Sequence, residues 1–115
     1  MRLDTVGSVL ARRILDLHTE TGRREVQVLI GMPRAIPDSP DVYCPYQIVG
    51  LGDPTVRYTE GVDAAQAIYL AMEAAGTTLA GTPEARGGRL TWYDEPSLGF
   101  PVREQRPQLR LVASR

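Results

Sequence analysis

The chain has little of what thiol or metal chemistry requires, since it contains one cysteine, Cys44, and one histidine, His18. A single cysteine excludes an intrachain disulfide, and this pair is too small for a typical structural zinc site. A cysteine–histidine catalyst would also need hydrogen-bond contact between the two side chains and a positive neighbour for the thiolate. The sequence shows neither condition, so we expect no metal, no cofactor and no catalytic residue.

An excess of charge of one sign is also absent, because 13 basic side chains nearly balance 14 acidic ones. Such a balance gives no long-range attraction to nucleic acids or anionic membranes. Residues 1 to 7 lack the apolar core of a signal peptide, and no apolar run approaches the ~20 residues that span a bilayer. Together with the free cysteine, these absences predict a cytoplasmic protein that binds neither nucleic acid nor membrane.

What the sequence does contain is typical of one small globular domain. With 115 residues, 43% of them hydrophobic and 23% charged, the chain is long enough for one hydrophobic core. We predict an N-terminal extension at residues 1 to 8 and a single domain at residues 9 to 101. Residues 102 to 115 then form a C-terminal tail or an added strand.

Alternating apolar side chains predict a hairpin near the N-terminus. Residues 9 to 18 could form a short helix, but a turn at residues 19 to 22 leads into a clear strand and favours the hairpin. Two arginine pairs, at residues 12 and 13 and at residues 23 and 24, are expected near each other as a basic patch or a charged strand face. The core face of the second arm is predicted to carry Val26, Val28, Ile30 and Met32.

Turn residues predict a second hairpin, with strands at residues 43 to 51 and 55 to 59. Pro45 lies in the first of these strands and lacks a backbone donor. It therefore indicates a sheet edge or a bulge in the first half of that strand.

One amphipathic helix is predicted to follow. Asp63 and Gln66 match a capping box, so the helix should begin near residue 63. Its apolar residues form two adjoining stripes with Leu70 near the centre of the buried face, whereas Tyr69 and Glu73 mark the outward side.

The end of this helix has two readings. Gly76 could terminate it, but Leu79 extends the stripe, so we favour a helix to Ala80 with Gly81 in the left-handed conformation. A polar loop and a strand at residues 89 to 93 follow. The fold class predicted from these elements is α+β, with an antiparallel sheet of about five strands (two hairpins, then helix, then strand) packed on one amphipathic helix.

The last segment is rich in arginine, with four arginines and one glutamate in residues 102 to 115. Leu109 and Leu111 alternate with Arg110, as in a strand. Residues 108 to 112 are therefore either a strand that pairs with another chain or part of a frayed basic tail.

Several short motifs together resemble a family of small bacterial proteins of unknown function. The resemblance spans about residues 10 to 101 and implies a bacterial, mostly cytoplasmic protein, but no activity. The motifs are Cys44-Pro45-Tyr46-Gln47-Ile48, Gly61-Val62-Asp63-Ala64-Ala65-Gln66-Ala67, Leu70-Ala71, Gly76, Leu79, Leu90-Thr91-Trp92 and Gly99-Phe100-Pro101.

Other candidates for chemistry have structural explanations. Asp63 could act as an acid beside Tyr58 and Glu60, but its position in a capping box already explains it. The glycines form no phosphate-binding pattern, and the loop carboxylates match no calcium loop. If a ligand pocket exists, Cys44, Tyr58 and Asp63 are weak candidates to line it.

The aromatic residues favour an interaction surface instead. Trp92 and Phe100 are expected in the core, whereas Tyr43, Tyr46 and Tyr93 could either complete the core or contact a partner. The predicted surface comprises Tyr43, Tyr46, Tyr93, Leu109 and Leu111. The sequence leaves the molecular function unknown. The working hypothesis is a non-enzymatic immunity-, antitoxin- or adaptor-like factor that binds a protein partner or forms a homodimer. The alternative is a small enzyme or ligand-binding domain with a pocket between helix and sheet, in which case a small molecule would bind.

Overall fold

A computed structural model describes residues 1–102 of the chain. Its elements, in chain order, are β1 (Val9–Thr19), β2 (Gly22–Gly31), β3 (Arg34–Ala35), β4 (Val42–Val49), β5 (Arg57–Gly61), α1 (Ala64–Ala80), α2 (Pro83–Arg86) and β6 (Leu90–Thr91). The six strands form one antiparallel sheet that packs on α1, so the predicted α+β class is confirmed. Within these residues, no helix is both long and apolar enough to cross a bilayer.

β1 and β2 form the predicted hairpin, which carries much of the core. Leu15 pairs with Val26, and both are fully buried on the face that packs towards α1. Val28 and Ile30 continue this face as predicted. Met32, however, is 43% exposed, because regular pairing of β2 ends at Gly31. The placement of Met32 in the core was therefore wrong.

β4 is the central strand of the second half of the sheet. It pairs with β5 along one side and with both β2 and β3 along the other. Of the two alternatives predicted from Pro45, the sheet edge was wrong, whereas an irregularity in the first half of the strand is present. Cys44 and Pro45 instead face the interruption between the pairing to β3 and the pairing to β2. A missing backbone donor is tolerated there because the ladder is already broken.

α1 begins and ends at the predicted residues. The Asp63 carboxylate accepts a hydrogen bond from the Gln66 backbone N–H at 2.9 Å, and the Gln66 side-chain oxygen accepts one from the Val62 N–H at 2.8 Å. These bonds confirm Asp63 as the N-cap and show that Gln66 reaches back as predicted, although to Val62, one residue before the cap. The helix ends at Ala80, but Gly81 has a φ of −80° rather than the predicted left-handed value.

The buried face of α1 is narrower than predicted and rotated. Its buried apolar residues are Ala67, Ala71, Ala75 and Leu79, whose spacing of four forms one row along the helix. Leu70 is only half-buried, so it does not lie at the centre of the stripe. Glu73 was expected outside and is 9% exposed. Residues 83 to 86, predicted as a loop, form the short helix α2 because Thr82 accepts the Ala85 N–H as a cap.

The C-terminal part of the described chain packs against α1. A methyl group on Gly76 would lie 2.6 Å from the Phe100 Cβ atom, so glycine is required for this contact. Phe100 thereby returns to the core as predicted. This close approach explains why a residue that weakens helices occupies the middle of α1.

The N-terminal extension lies on the sheet face opposite α1. Val6 is 5% exposed, and a side chain on Gly31 would collide with the Val6 carbonyl oxygen and with Pro45. The Met32 N–H donates to the Ser8 carbonyl oxygen at 2.8 Å. Residues 1 to 8 therefore cover part of the face of β4 that the helix leaves free.

We predict that Leu79→Ala lowers the free energy of unfolding by about 2–5 kcal/mol, because Leu79 is fully buried. Leu70→Ala is the matched control on the same helix and should lower it less, by about 1 kcal/mol, since that side chain is only partly buried. Chemical denaturation of both variants measures the difference. Equal losses would show that the buried row of α1 is misplaced.

Gly76→Ala should destabilise the protein by about 1–3 kcal/mol through its collision with Phe100. At an ordinary helix position the same change stabilises by about 1 kcal/mol. Thr77→Ala, at an exposed neighbour, is the control and should leave stability unchanged or slightly raised. A Gly76→Ala variant more stable than the wild type would contradict the contact. Thermal denaturation suffices for both.

Candidate functional site

The outer edge of β1 is open over most of its length. β6 pairs with β1 only at Asp16 and Leu17. The His18 N–H donates to the Arg89 carbonyl oxygen on this same side, at 2.8 Å. Because backbone groups point to alternate sides of a strand, those of Ile14 and Arg12 also point outward here. In the described chain they have no ladder partner.

The side chains along this edge are apolar or basic. Val9, Leu10 and Ile14 are 42%, 42% and 40% exposed, respectively. Arg12 is exposed between them. A β-bulge between Val9 and Ala11 ends the regular part of the edge. We call residues 9 to 15 with their unpaired backbone groups the β1 edge. It offers both hydrogen-bonding groups and apolar surface to another strand.

A groove of about 590 Å³ joins the β1 edge to the turn at residues 92 to 95. The turn is closed by two backbone hydrogen bonds between Trp92 and Glu95, at 2.9 and 3.0 Å. Its central residues, Tyr93 and Asp94, have φ values of 51° and 65°, as a type I′ turn requires. Tyr93 is 83% exposed. The groove is lined by Arg12, Arg13, Ile14, Asp16, Arg23, Trp92, Tyr93 and Asp94.

Arg13 holds the turn and the C-terminal segment against the sheet. Its guanidinium carbon lies 4.0 Å from the Trp92 ring centroid and 4.8 Å from that of Phe100. Its Nη1 atom donates to the Leu98 carbonyl oxygen at 3.1 Å. Stacking of an arginine on aromatic rings is favourable, most of all away from water. Arg13 is therefore already engaged inside the protein.

The other arginines of the predicted basic patch have different partners. Arg23 forms an ion pair with Asp16 at 3.5 Å. Arg24 donates to the Gly50 carbonyl oxygen at 2.6 Å. Arg12 lies opposite Leu29 rather than opposite an arginine and makes no ion pair within residues 1–102. The two pairs are not directly opposite each other in the hairpin register, yet Arg12, Arg13 and Arg23 line one groove, and Arg24 is the member of the expected patch that does not.

The residues of the predicted interaction surface do not share one surface. Tyr43 is buried under the N-terminal extension, where its ring lies 5.8 Å from that of Tyr58. Tyr46 faces α1, and burial raises the pKa of its hydroxyl group. Tyr93 alone of the three tyrosines is exposed, beside the β1 edge. Leu109 and Leu111, with the predicted strand at residues 108 to 112, lie outside the described residues.

The three pocket candidates are likewise apart. Cys44 is fully buried on the α1 side of the sheet, and its thiol donates to the Gly31 carbonyl oxygen at 3.4 Å. Tyr58 lies on the opposite face, where its hydroxyl accepts from the Met1 ammonium group at 3.4 Å. Asp63 caps α1. His18 contacts Thr91 at 3.1 Å rather than Cys44. Within residues 1–102 there is no cluster of three potential metal ligands.

Two cavities bear on a possible small-molecule site. The cavity between the C-terminal half of α1 and the sheet measures about 70 Å³, far below the ~300 Å³ at which ligand pockets begin. A mainly apolar groove of about 460 Å³ lies between α1, α2 and residues 96 to 102. Neither is lined by Cys44, Tyr58 or Asp63.

Sequence reasoning placed Arg12 in a possible basic patch but missed Ile14, and it assigned neither residue to the interaction surface. The pattern at residues 9 to 18 predicts a strand, but it does not indicate on which side of that strand the backbone groups are unpaired. A usable signal was present, since apolar residues occur on both faces of this arm: Leu15 and Leu17 on one, Ile14 on the other. Such a two-sided pattern indicates a strand with a second contact besides the core.

Burial raises the pKa of the Cys44 thiol to about 11. Because the thiolate is the reactive form, DTNB should label the folded protein at pH 8 at least about a hundredfold more slowly than the unfolded chain, whose thiol pKa is ~8.5. The free energy of unfolding should also fall as the pH rises from ~8.5 to about 11, since only the unfolded state loses this proton. Cys44→Ala is the control and should lose that part of the pH dependence. Fast labelling of the folded protein would refute the placement of Cys44.

Comparisons with known proteins show a family and no function. A model of a domain of unknown function, DUF6968, matches residues 11–102, which is most of the chain. Neither a curated protein nor a solved structure matches significantly. The match begins within β1 and ends where the described residues end, so it includes the β1 edge from residue 11 onward and the turn at residues 92 to 95. The chain therefore belongs to the DUF6968 family of domains of unknown function.

Proposed function

We propose that this protein is a non-enzymatic interaction factor that binds an extended segment of another protein as an added strand along the β1 edge. The observation that carries the proposal is the length of β1 that no strand of residues 1–102 covers. Strand addition uses backbone hydrogen bonds for affinity and side-chain contacts for specificity. The edge offers both, since exposed apolar side chains accompany the outward N–H and C=O groups.

The turn at residues 92 to 95 supports this proposal. It places Tyr93, at 83% exposure, at the end of the β1 edge where β6 stops. Exposed aromatic side chains are enriched at interfaces because they bury a large area with few rotatable bonds. An added strand would thus meet Ile14 along the edge and Tyr93 beyond it.

A protective role for the edge arginines is the main competing explanation. Charged side chains on edge strands discourage aggregation, and a bulge has the same effect. The β1 edge has both features. They do not explain why Val9, Leu10 and Ile14 are exposed beside them, because protection alone is served better by polar side chains.

Charge also bears on which chain is bound. If two copies of this chain paired antiparallel through their β1 edges, Arg12 and Arg13 of one copy would lie near Arg12 and Arg13 of the other. Like charges in such positions destabilise a pair of strands. The chain's own residues 103 to 115 are arginine-rich and have the same sign. Both considerations favour a different protein as partner, and the homodimer expected from the sequence remains a prediction that would need another surface.

The alternative of an enzyme or ligand-binding domain has less support. Its pocket was expected between helix and sheet, where the cavity is about 70 Å³. The proposed factor would act in the bacterial cytoplasm in an immunity-, antitoxin- or adaptor-like role. Its free, buried cysteine agrees with a reducing compartment.

A displayed library of random nine-residue peptides, selected on the immobilised full chain, tests strand addition. Selected peptides should slow hydrogen exchange at the amides of Arg12 and Ile14, which point outward. They should leave the amides of Arg13 and Leu15, which point towards β2, unchanged. Because both sets lie on one strand, the inward amides are an internal control. Peptides that protect no outward amide of β1 would refute the proposal.

A variant provides the second arm of this test. Ile14→Pro removes one outward N–H and leaves the pairing with β2, so it should weaken the selected peptides at least about tenfold. Ile14→Ala keeps the N–H and should weaken them less. Circular dichroism confirms that each variant is folded. Unchanged binding by a folded Ile14→Pro variant would count against strand addition.

A further inference from the structure

We infer that the β1 edge selects a partner segment with an acidic side chain opposite Arg12 and an apolar side chain two residues away, opposite Ile14. This inference deepens the proposed function and rests on it. Arg12 and Ile14 project from the same face of the strand, because side chains two residues apart share a face. An added strand must therefore present its own side chains to them at the same spacing.

The charge requirement follows from which arginines are already engaged. Arg13 stacks between Trp92 and Phe100 and donates to Leu98. Arg23 is paired with Asp16. Arg12 is exposed and has no charged or hydrogen-bonding side-chain partner in residues 1–102. Of the three arginines that line the groove, it is the one whose charge is uncompensated.

The acidic end of the groove is compensated to a greater extent. Asp16 is held by Arg23 at 3.5 Å, and Thr91 on β6 lies directly opposite it. Asp94 lines the same groove from the turn, but it makes no ion pair with Arg12 within residues 1–102. The charged side chains of the unpaired stretch of β1, Arg12 and Arg13, are therefore both positive. A carboxylate is the group complementary to them.

A peptide carboxylate fits this edge better than a phosphate backbone does. Nucleic-acid binders usually show a stripe of basic residues, whereas one free arginine between apolar side chains forms no stripe. Unpaired backbone groups of a strand also require N–H and C=O groups from the partner, which an extended peptide has. Opposite charges directly across two strands are a recognised source of stability.

The sequences of the selected peptides test the inference. Wild-type protein should enrich peptides with Asp or Glu two residues from an apolar residue. Arg12→Glu should instead enrich Lys or Arg at that position. A peptide selected by the wild type should bind Arg12→Glu about tenfold more weakly, and its Glu→Lys version should recover the loss. Arg2→Glu changes the net charge equally, away from the β1 edge, and should leave binding unchanged.

The outcomes separate the inference from the proposed function. Peptides that protect the Arg12 and Ile14 amides without acidic enrichment would overturn the inference alone. An absence of any peptide that protects those amides would overturn both. A single-stranded DNA 12-mer should not compete with the selected peptide. If this DNA displaces the peptide and still binds the Ile14→Pro variant, the inference is overturned in favour of an anionic ligand held by side chains.

Discussion

Three alanines in the row Ala67, Ala71 and Ala75 bring the axis of α1 close to the sheet, and the other contacts of the fold follow from this approach. All three are fully buried. The helix packs mainly on β4 and β5 and touches β2 only slightly. Because one helix of this length cannot also cover β1, the α1 side of β1 must be covered by something else. The turn at residues 92 to 95 and the segment that follows provide that cover.

Arg13 makes this second cover possible. An arginine on the inner side of a sheet would ordinarily be unfavourable, because burial of an unpaired charge is costly. Here its guanidinium group lies between the rings of Trp92 and Phe100 and is satisfied by the Leu98 carbonyl oxygen. The C-terminal segment is thereby held beneath β1, towards α1, and not beside it as a further strand. Within residues 1–102, the β1 edge stays unpaired for this reason, although the core beside it is complete.

The face of the sheet opposite α1 also has a covered part and an uncovered part. The N-terminal extension covers β4 near Pro45 through Val6, while the part formed by β1 and β2 has no cover in residues 1–102. Cys44 is buried between the sheet and α1, which accounts for its raised pKa. The exposed side chains available to a partner therefore lie on the hairpin, Ile14 and Arg12 among them. The reactive thiol of Cys44, by contrast, is buried in the core.

The sequence by itself determined the parts of this protein that depend on neighbours along the chain. The capping box of Asp63 and Gln66, the alternation of Val26 and Val28, and the turn at residues 19 to 22 involve residues within a few positions of each other, so their pattern was sufficient. The tertiary structure alone decided that Pro45 lies in a central strand, that Glu73 is buried, and that, among residues 1–102, Arg13 is enclosed whereas Arg12 has no ion-pair partner. These outcomes depend on which strands pair and which segment covers each face, contacts between residues far apart in the chain. A period of two does not determine these contacts, because it is the same for an edge strand and for a central one; apolar residues on both faces of β1 indicate a second contact but not its position.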